Sequence, residues 1–408
     1  MKKFSSYLIP SLIASVLMSM YAVVDGIFIG QKIGDVGLAA INISWPITAL
    51  LQAFGTAFGL AAGIHHQLLL AKKEDSRASY VKMTALIMLI ILAVFLGLIL
   101  YFCKRPLLTF LGATSESLNP ALSYTKIILI GSIFQMLGMA MIPILKNSKR
   151  VKLAMAASLT SIFTNLLFDY LFILVFDFGL AGAAWGSVIA QMLSCFVCLI
   201  PFLKENRRIS IHKEDIIAIL KISIAPFVLA YAYSVVILIT NLFCTSIGGD
   251  SAVAAYTLLS YLAYINIALA CACGDSIQPL FSYYQGIKEY KTNQKMLIRC
   301  LLISFIICTV LAMLMLILKK PLGELYHLSD EAFAYYEKGL PFYAGGALLV
   351  AIIKVISSYL YSVDQKIASN IIVILEPFVL TPVLLAIFTL NLDMLGVWIA
   401  YILVQVCS

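Results

Sequence analysis

Residues 80–103 read YVKMTALIMLIILAVFLGLILYFC, a run of 24 residues in which Lys82 is the one charged side chain. A helix needs about 20 mostly apolar residues to cross the roughly 30 Å hydrocarbon core of a bilayer. A backbone in lipid must also satisfy its own hydrogen bonds, which a helix does within the segment. The run therefore predicts a transmembrane helix.

Apolar segments of similar length recur along the whole chain, which is 62% hydrophobic and 12% charged with a mean hydropathy of +1.01. Soluble domains carry about 25% charged residues, so this composition excludes a water-soluble fold. The segments are, approximately, 4–30, 37–69, 80–103, 119–145, 152–176, 180–203, 214–245, 251–285, 296–318, 334–361, 367–391 and 394–408. We predict an all-α polytopic membrane protein with twelve transmembrane helices, the last of them short, since roughly 22 Å of helix follows Asp393.

The 28 Lys and Arg residues are unevenly distributed between the predicted loops. With the N-terminus in the cytoplasm, 20 lie in cytoplasmic loops or helix ends, 6 in outer loops, and Lys126 and Lys354 within spans. This split follows the positive-inside rule, and it accounts for most of the net charge of +8 without a nucleic-acid partner. We expect a multi-pass protein of the cytoplasmic membrane of a prokaryote, with its N-terminus inside.

The two halves of the chain share landmarks at an offset of 214 to 216 residues. The landmarks and their partners are Pro10 and Pro226, Gly34-Asp35 with Ala39-Ala40 and Gly249-Asp250 with Ala254-Ala255, Gly182 and Gly396, and Gln191 and Gln405. Because six is even, both six-helix halves enter the membrane in the same direction and form a parallel repeat. We predict an N-terminal lobe at 1–203, a cytoplasmic linker at 204–213 and a C-terminal lobe at 214–408.

Three motifs give a more specific signal than the repeat. They are VDGIFIGQ at 24–31 with LAAINISWP at 38–46, NLLFDY at 165–170 with GLAGAA at 179–184, and QPLFSYYQG at 278–286. Together they resemble the multidrug and toxic compound extrusion (MATE) family, and within it the MepA-like branch. The resemblance covers nearly the whole chain and implies a V-shaped transporter of two lobes.

Ionisable side chains are costly inside a membrane and are therefore candidates for function. Asp25 and Asp169 lie at similar depth in the outer half of the first lobe. Asn165 lies one turn from Asp169 on the same helix face, and Ser187 reaches the same level. These oxygen ligands suit a hard cation, and two close carboxylates favour the binding of a proton by one of them. The structural alternative for Asp25 is a helix cap in the headgroup region.

In MATE proteins that resemble this chain, the matching Asp pair, Asn and hydroxyl positions form a cation site. The resemblance therefore implies cation binding and coupling by Asp25, Asn165, Asp169 and Ser187. In the family, bending of the first helix accompanies cation binding, so Pro10 is a candidate hinge because proline removes a backbone hydrogen bond.

The second lobe contains Asp275, Lys354 and Glu376 at comparable depth from the cytoplasmic side. We expect them to meet in an ion cluster with one net negative charge. Such a cluster binds either a cationic substrate or a proton, or it is a buried structural ion pair. The sequence leaves both readings open, because Asp275 and Glu376 do not fall on the family motifs.

The resemblance implies a secondary antiporter that exports organic cations or drugs in exchange for Na⁺ or H⁺. The alternative is a flippase for lipids or lipid-linked oligosaccharides from the same wider superfamily, which tends to carry several Arg or Lys residues in its spans. Here the spans hold four acidic against two basic residues, which favours cationic cargo. We expect no enzyme activity, no cofactor besides the coupling ion, and no metal beyond Na⁺ at Asp25 and Asp169. The expected partners are membrane lipid and small organic cations, and the expected state is a monomer.

Overall fold

The computed structural model describes residues 2–148, 150–205, 210–363, 365, 371 and 373–408, and within this part of the chain the regular structure is helical. The α-helices are α1 Lys2–Ile33, α2 Asp35–Ala71, α3 Asp75–Phe110, α4 Leu118–Ile130, α5 Ser132–Asn147, α6 Val151–Asp169, α7 Gly179–Glu205, α8 Lys213–Gly286, α9 Tyr290–Ile317, α10 Lys319–Leu325, α11 Asp330–Ser362 and α12 Thr381–Cys407. There are two π-helices. Tyr170–Val175 follows α6, and Glu376–Leu380 precedes α12.

The predicted number of twelve spans agrees with these helices once their breaks are considered. Eight described helices are long and apolar enough to cross a membrane, and the pair α4 and α5, bent by 61°, makes a ninth span. The 74-residue α8 is two spans joined at Gly248 and Gly249, and α12 contains a second break at Asp393 that separates the last two spans. With α1, the chain therefore has the predicted all-α, polytopic fold.

The parallel repeat is visible in the backbone as well as in the sequence. Residues with positive φ recur at offsets of 214 or 215, and the pairs are Gly34 and Gly249, Lys73 and Lys288, Gly112 and His327, and Gly179 and Asp393. A positive φ is unfavourable for residues with a Cβ atom but open to glycine. Gly34 and Gly249 have this conformation at the turn between the first two helices of each half, which explains why that glycine recurs.

The described chain divides into two compact units. Unit 1 consists of residues 1–39 and 235–408, and unit 2 consists of residues 40–234. Both boundaries fall inside helices, within α2 and within the first span of α8. The predicted lobe boundaries at 203 and 214 remain a prediction.

In unit 2, the first turn of α8 is fastened to α2 and α3 by the carboxylate of Asp215. Its side chain is 0% exposed. Arg77 donates from Nε and Nη2 to Asp215 Oδ1 at 3.0 and 2.8 Å, and His65 Nε2 lies 2.8 Å from the same oxygen. Charge-assisted hydrogen bonds of this kind are roughly twice as strong as neutral ones. An acid in the first turn is also stabilised by the positive end of the helix dipole.

Replacing Asp215 with asparagine is expected to lower the thermal unfolding midpoint of the purified protein by a few degrees. Asparagine keeps the volume but removes the charge that Arg77 and His65 share. The matched control is Glu214→Gln, because the Glu214 side chain is 74% exposed and lies 3.6 Å from Arg77 Nη2. Exposed ion pairs contribute little to the free energy of unfolding, so this control should unfold at the same temperature as the wild type. Equal midpoints for the two variants would contradict a stabilising role for Asp215.

Candidate functional site

The predicted carboxylate of unit 2, Asp169, is the last residue of α6. Its side chain is 1% exposed, and Asn165, one turn earlier on the same helix, is equally buried. The i, i+4 spacing brings both side chains to one face, as the sequence predicted. Burial of a charged or polar side chain is costly unless other polar groups form hydrogen bonds with it. The residues that surround this face of α6 therefore determine its chemistry.

Helix α7 supplies the other side of this cluster. Asn165 Nδ2 donates a hydrogen bond to Ser187 Oγ at 3.3 Å. At the neighbouring position, Gly186, an added Cβ atom would overlap Asp169 Oδ1. Only a residue without a side chain lets the α7 backbone approach the carboxylate this closely. Asn165, Asp169 and Ser187 therefore gather into one buried group, which we call the α6–α7 cluster.

The sequence did not predict the π-helix that begins directly after Asp169. Such helices are rare, and they occur frequently at functional sites. The rings of Phe172, Phe176 and Phe178 pack with centroids 5.8 to 6.2 Å apart around this segment. The phenylalanines are visible in the sequence, but their apolar run predicts only a continued helix.

Asp25 lies in unit 1, on α1, next to a close helix contact. Its Oδ1 atom is buried and has no hydrogen-bond partner among the described residues. A Cβ atom at Gly26 would overlap the ring of Tyr261 and crowd that of Tyr326. Tyr326 Oη also donates to the carbonyl oxygen of Val23 at 2.9 Å. The α1 backbone on either side of Asp25 thus packs against aromatic rings, while the predicted pairing of Asp25 with Asp169 remains a prediction.

The α6–α7 cluster offers a carboxylate, an amide and a hydroxyl group within two adjacent helices. Oxygen ligands of these types suit hard cations, whereas soft metals prefer sulfur and imidazole. A carboxylate at this place can also carry a proton and release it, since protonation removes the charge that burial penalises. The cluster is therefore chemically suited to bind either a small hard cation or a proton.

The predicted ion cluster of unit 1 is in part present. Lys354 Nζ lies 3.0 Å from Glu376 Oε2, and the two side chains are 17% and 12% exposed. Gln405 Nε2 donates to the other carboxylate oxygen, Glu376 Oε1, at 2.9 Å. In the sequence, Gln405 was recognised only as the repeat partner of Gln191, and no role at this site was predicted for it. Each carboxylate oxygen of Glu376 thus has a donor.

Asp275 does not join this ion pair, contrary to the predicted triad. Instead, Asp275 Oδ1 accepts hydrogen bonds from Ser358 Oγ and, at 3.1 Å, from Gln278 Nε2. The reason is the register of α11, where Ser358 lies one turn beyond Lys354 and meets Asp275 first. Among the described residues Asp275 has no ion-pair partner, so it contributes the unbalanced negative charge of this part of unit 1.

The remaining candidate, Pro10, lies in the first part of α1. Its side chain falls outside the described residues. The predicted role of Pro10 as a hinge remains a prediction.

Comparison with protein families gives one match that covers most of the chain. A family model described as MatE matches residues 10–171 and again residues 226–387. The two matches are 216 residues apart at both ends, which agrees with the offset of the internal repeat.

Similar proteins include two with the same printed name. A "Multidrug export protein MepA" of Staphylococcus haemolyticus is 24% identical over 418 residues, covering 100% of this chain and 91% of that protein. The protein of that name from Staphylococcus saprophyticus is 25% identical over 319 residues, covering 76% of this chain and 70% of that protein.

Among solved structures, one described as the inward-facing conformation of a multidrug resistance MATE family transporter of the MOP superfamily has a TM-score of 0.85. It covers 95% of this chain and 91% of that chain at 17% identity. At this identity the likeness shows the fold alone, and it agrees with the helical repeat described above.

Proposed function

The chain belongs to the MatE family, and on that premise we propose that it is a secondary antiporter that exports organic cations in exchange for Na⁺ or H⁺. The observation that carries the proposal is the α6–α7 cluster, in which a buried carboxylate lies beside an amide and a hydroxyl group. A coupling site must bind a cation and release it again. An ionisable group inside a membrane is energetically costly, so its presence there supports such a role.

The nature of the cargo follows from the charges of the spans and from the relatives. Among the described residues, the carboxylates of Asp25 and Asp275 have no ion-pair partner within 4 Å, whereas Lys354 is neutralised by Glu376. A surplus of negative charge favours cationic cargo over anionic cargo. Both relatives described above are named for multidrug export, which agrees with organic cations as the class of substrate.

We place this transport in the cytoplasmic membrane of a prokaryote, with the N-terminus inside. The basic residues of the loops support that orientation by the positive-inside rule. Inward movement of Na⁺ or H⁺ through the α6–α7 cluster would then drive cargo outward, and no covalent chemistry is required.

The experiment is export of an ethidium-like dye by purified protein in liposomes, with a Na⁺ gradient and a proton gradient imposed separately. We expect one gradient to drive dye movement above the level of protein-free liposomes, and an ionophore that collapses that gradient to stop it. The ion whose gradient drives the dye is the coupling ion. Folded protein that moves no cationic dye under either gradient would refute the proposal and point to the flippase alternative.

A further inference from the structure

An apolar groove of about 660 Å³ lies on unit 2 between α2, α3 and the first span of α8. Its lining includes Phe54 and Phe58 of α2, Ile91 and Phe95 of α3, and Phe227 and Lys221 of α8. This volume lies within the usual range for small-molecule sites, roughly 300–1,000 Å³. The groove is separate from the α6–α7 cluster, and no residue of that cluster lines it.

One wall of the groove is built from aromatic rings that fix one another. The rings of Phe54 and Phe227 are 4.5 Å apart, and Tyr231 stacks on Phe227 at 5.9 Å with an interplanar angle of 13°. Tyr231 Oη donates to the carbonyl oxygen of Pro46 at 3.3 Å. Because the rings span α2 and α8 and one is anchored to the backbone, the wall is preformed and an occupant need not order it.

The other wall faces the hydrocarbon of the bilayer. Ile91 and Phe95 on α3 are 65% and 62% exposed. Over the most apolar 18 consecutive residues of α3, the mean hydropathy is 3.1, and the protein buries only 22% of this stretch. Helix surfaces of this kind are covered by lipid tails, so the groove opens towards the membrane and its occupant must be soluble in it.

Charge at the groove identifies the class of occupant. Lys221 is exposed and has no hydrogen bond or ion pair among the described residues. It lies eight residues, or about 12 Å, from the start of α8 at Lys213, on the side of the basic loops. A lysine at this depth lays its stem on apolar surface and directs its ammonium group to the headgroups. It attracts an anionic headgroup and repels a cationic cargo molecule.

The length of the groove fits within one leaflet of the bilayer. Its lining extends over eight residues of α3 and eight of α8, about 10 Å of helix, within the roughly 15 Å thickness of one leaflet. We propose that the groove holds an acyl chain of an anionic phospholipid whose phosphate pairs with Lys221. The bound lipid then bridges α2, α3 and the first span of α8 as a structural ligand of unit 2.

The test measures binding of phosphatidylglycerol and of phosphatidylcholine with identical chains to the purified full-length protein, by native mass spectrometry. We expect the wild type to prefer phosphatidylglycerol, and Lys221→Gln to weaken its binding about fivefold, since one lysine near a membrane surface contributes about that factor. The matched control is Lys213→Gln, because Lys213 is also exposed on α8 but does not line the groove. This control should bind phosphatidylglycerol like the wild type.

A second variant tests the apolar part without removing a core contact. Ile91→Trp adds volume at an exposed position of the lining, and it should reduce binding of both lipids while the thermal unfolding midpoint without lipid stays unchanged. Equal binding of the two lipids by the wild type would overturn the proposal. Loss of preference in Lys213→Gln as large as in Lys221→Gln would overturn it as well, because it would indicate general surface charge.

Discussion

Replacing Asp169 with asparagine is expected to reduce gradient-driven dye export to the level of protein-free liposomes, while the protein remains folded. The substitution keeps the shape of the side chain beside Gly186 and removes the charge. Unlike a carboxylate, an amide neither takes up a proton near neutral pH nor neutralises a bound cation, so the proposed exchange of ion for cargo would lose its coupling group. The unfolding midpoint should stay or rise, because an uncharged group is less costly than a carboxylate at 1% exposure.

The matched control is Asp177→Asn, eight residues further along the chain. Asp177 is exposed and has a φ of 56°, a conformation that asparagine tolerates well. This variant should transport like the wild type, because it changes the same charge on the same side of the membrane without touching the α6–α7 cluster. Wild-type export by a folded Asp169→Asn protein would remove Asp169 from the coupling mechanism.

The fold could be predicted from the sequence because each level of the pattern is local or periodic. The length of each apolar segment predicts a transmembrane helix. The recurrence of Gly34 as Gly249 indicates the repeat, since both glycines have a positive φ at equivalent turns. The α6–α7 cluster could be predicted for the same reason. Asn165 and Asp169 share a helix face by spacing alone, and Ser187 lies on the next helix at the same depth.

The features that could not be predicted from the sequence depend on contacts between helices that are far apart in the chain, or on the backbone itself. His65 contacts Asp215, which lies 150 residues away in the chain, and no local pattern links the two positions. Asp275 was expected beside Lys354, but it contacts Ser358, which lies one helical turn further along α11. Depth in the membrane, when counted in residues from a helix end, is not accurate to one turn. The π-helix after Asp169 has no signature of residue type, since it arises from a shift in backbone hydrogen bonding.

The ion pair of unit 1 leads to the second large expected effect. Replacing Glu376 with glutamine should destabilise the protein by up to about 3–5 kcal/mol, because it leaves the largely buried Lys354 ammonium without its counter-ion. Lys354→Met should cost a comparable amount by leaving Glu376 unpaired. The double variant should recover most of the loss, since a buried pair can be replaced by uncharged residues at little cost. Glutamine at 376 still accepts the hydrogen bond from Gln405.

Unfolding of the four proteins in one detergent forms a double-mutant cycle that measures this coupling directly. Additive effects of the two substitutions would refute an energetic pair between Lys354 and Glu376. The double variant also separates the two readings of the cluster. If it is stable and transports normally, the pair is structural and Asp275, held by Ser358, is the carboxylate left for a cation. If it is equally stable but no longer transports, the charges of the pair take part in moving the cargo or the ion, since stability alone no longer accounts for the loss.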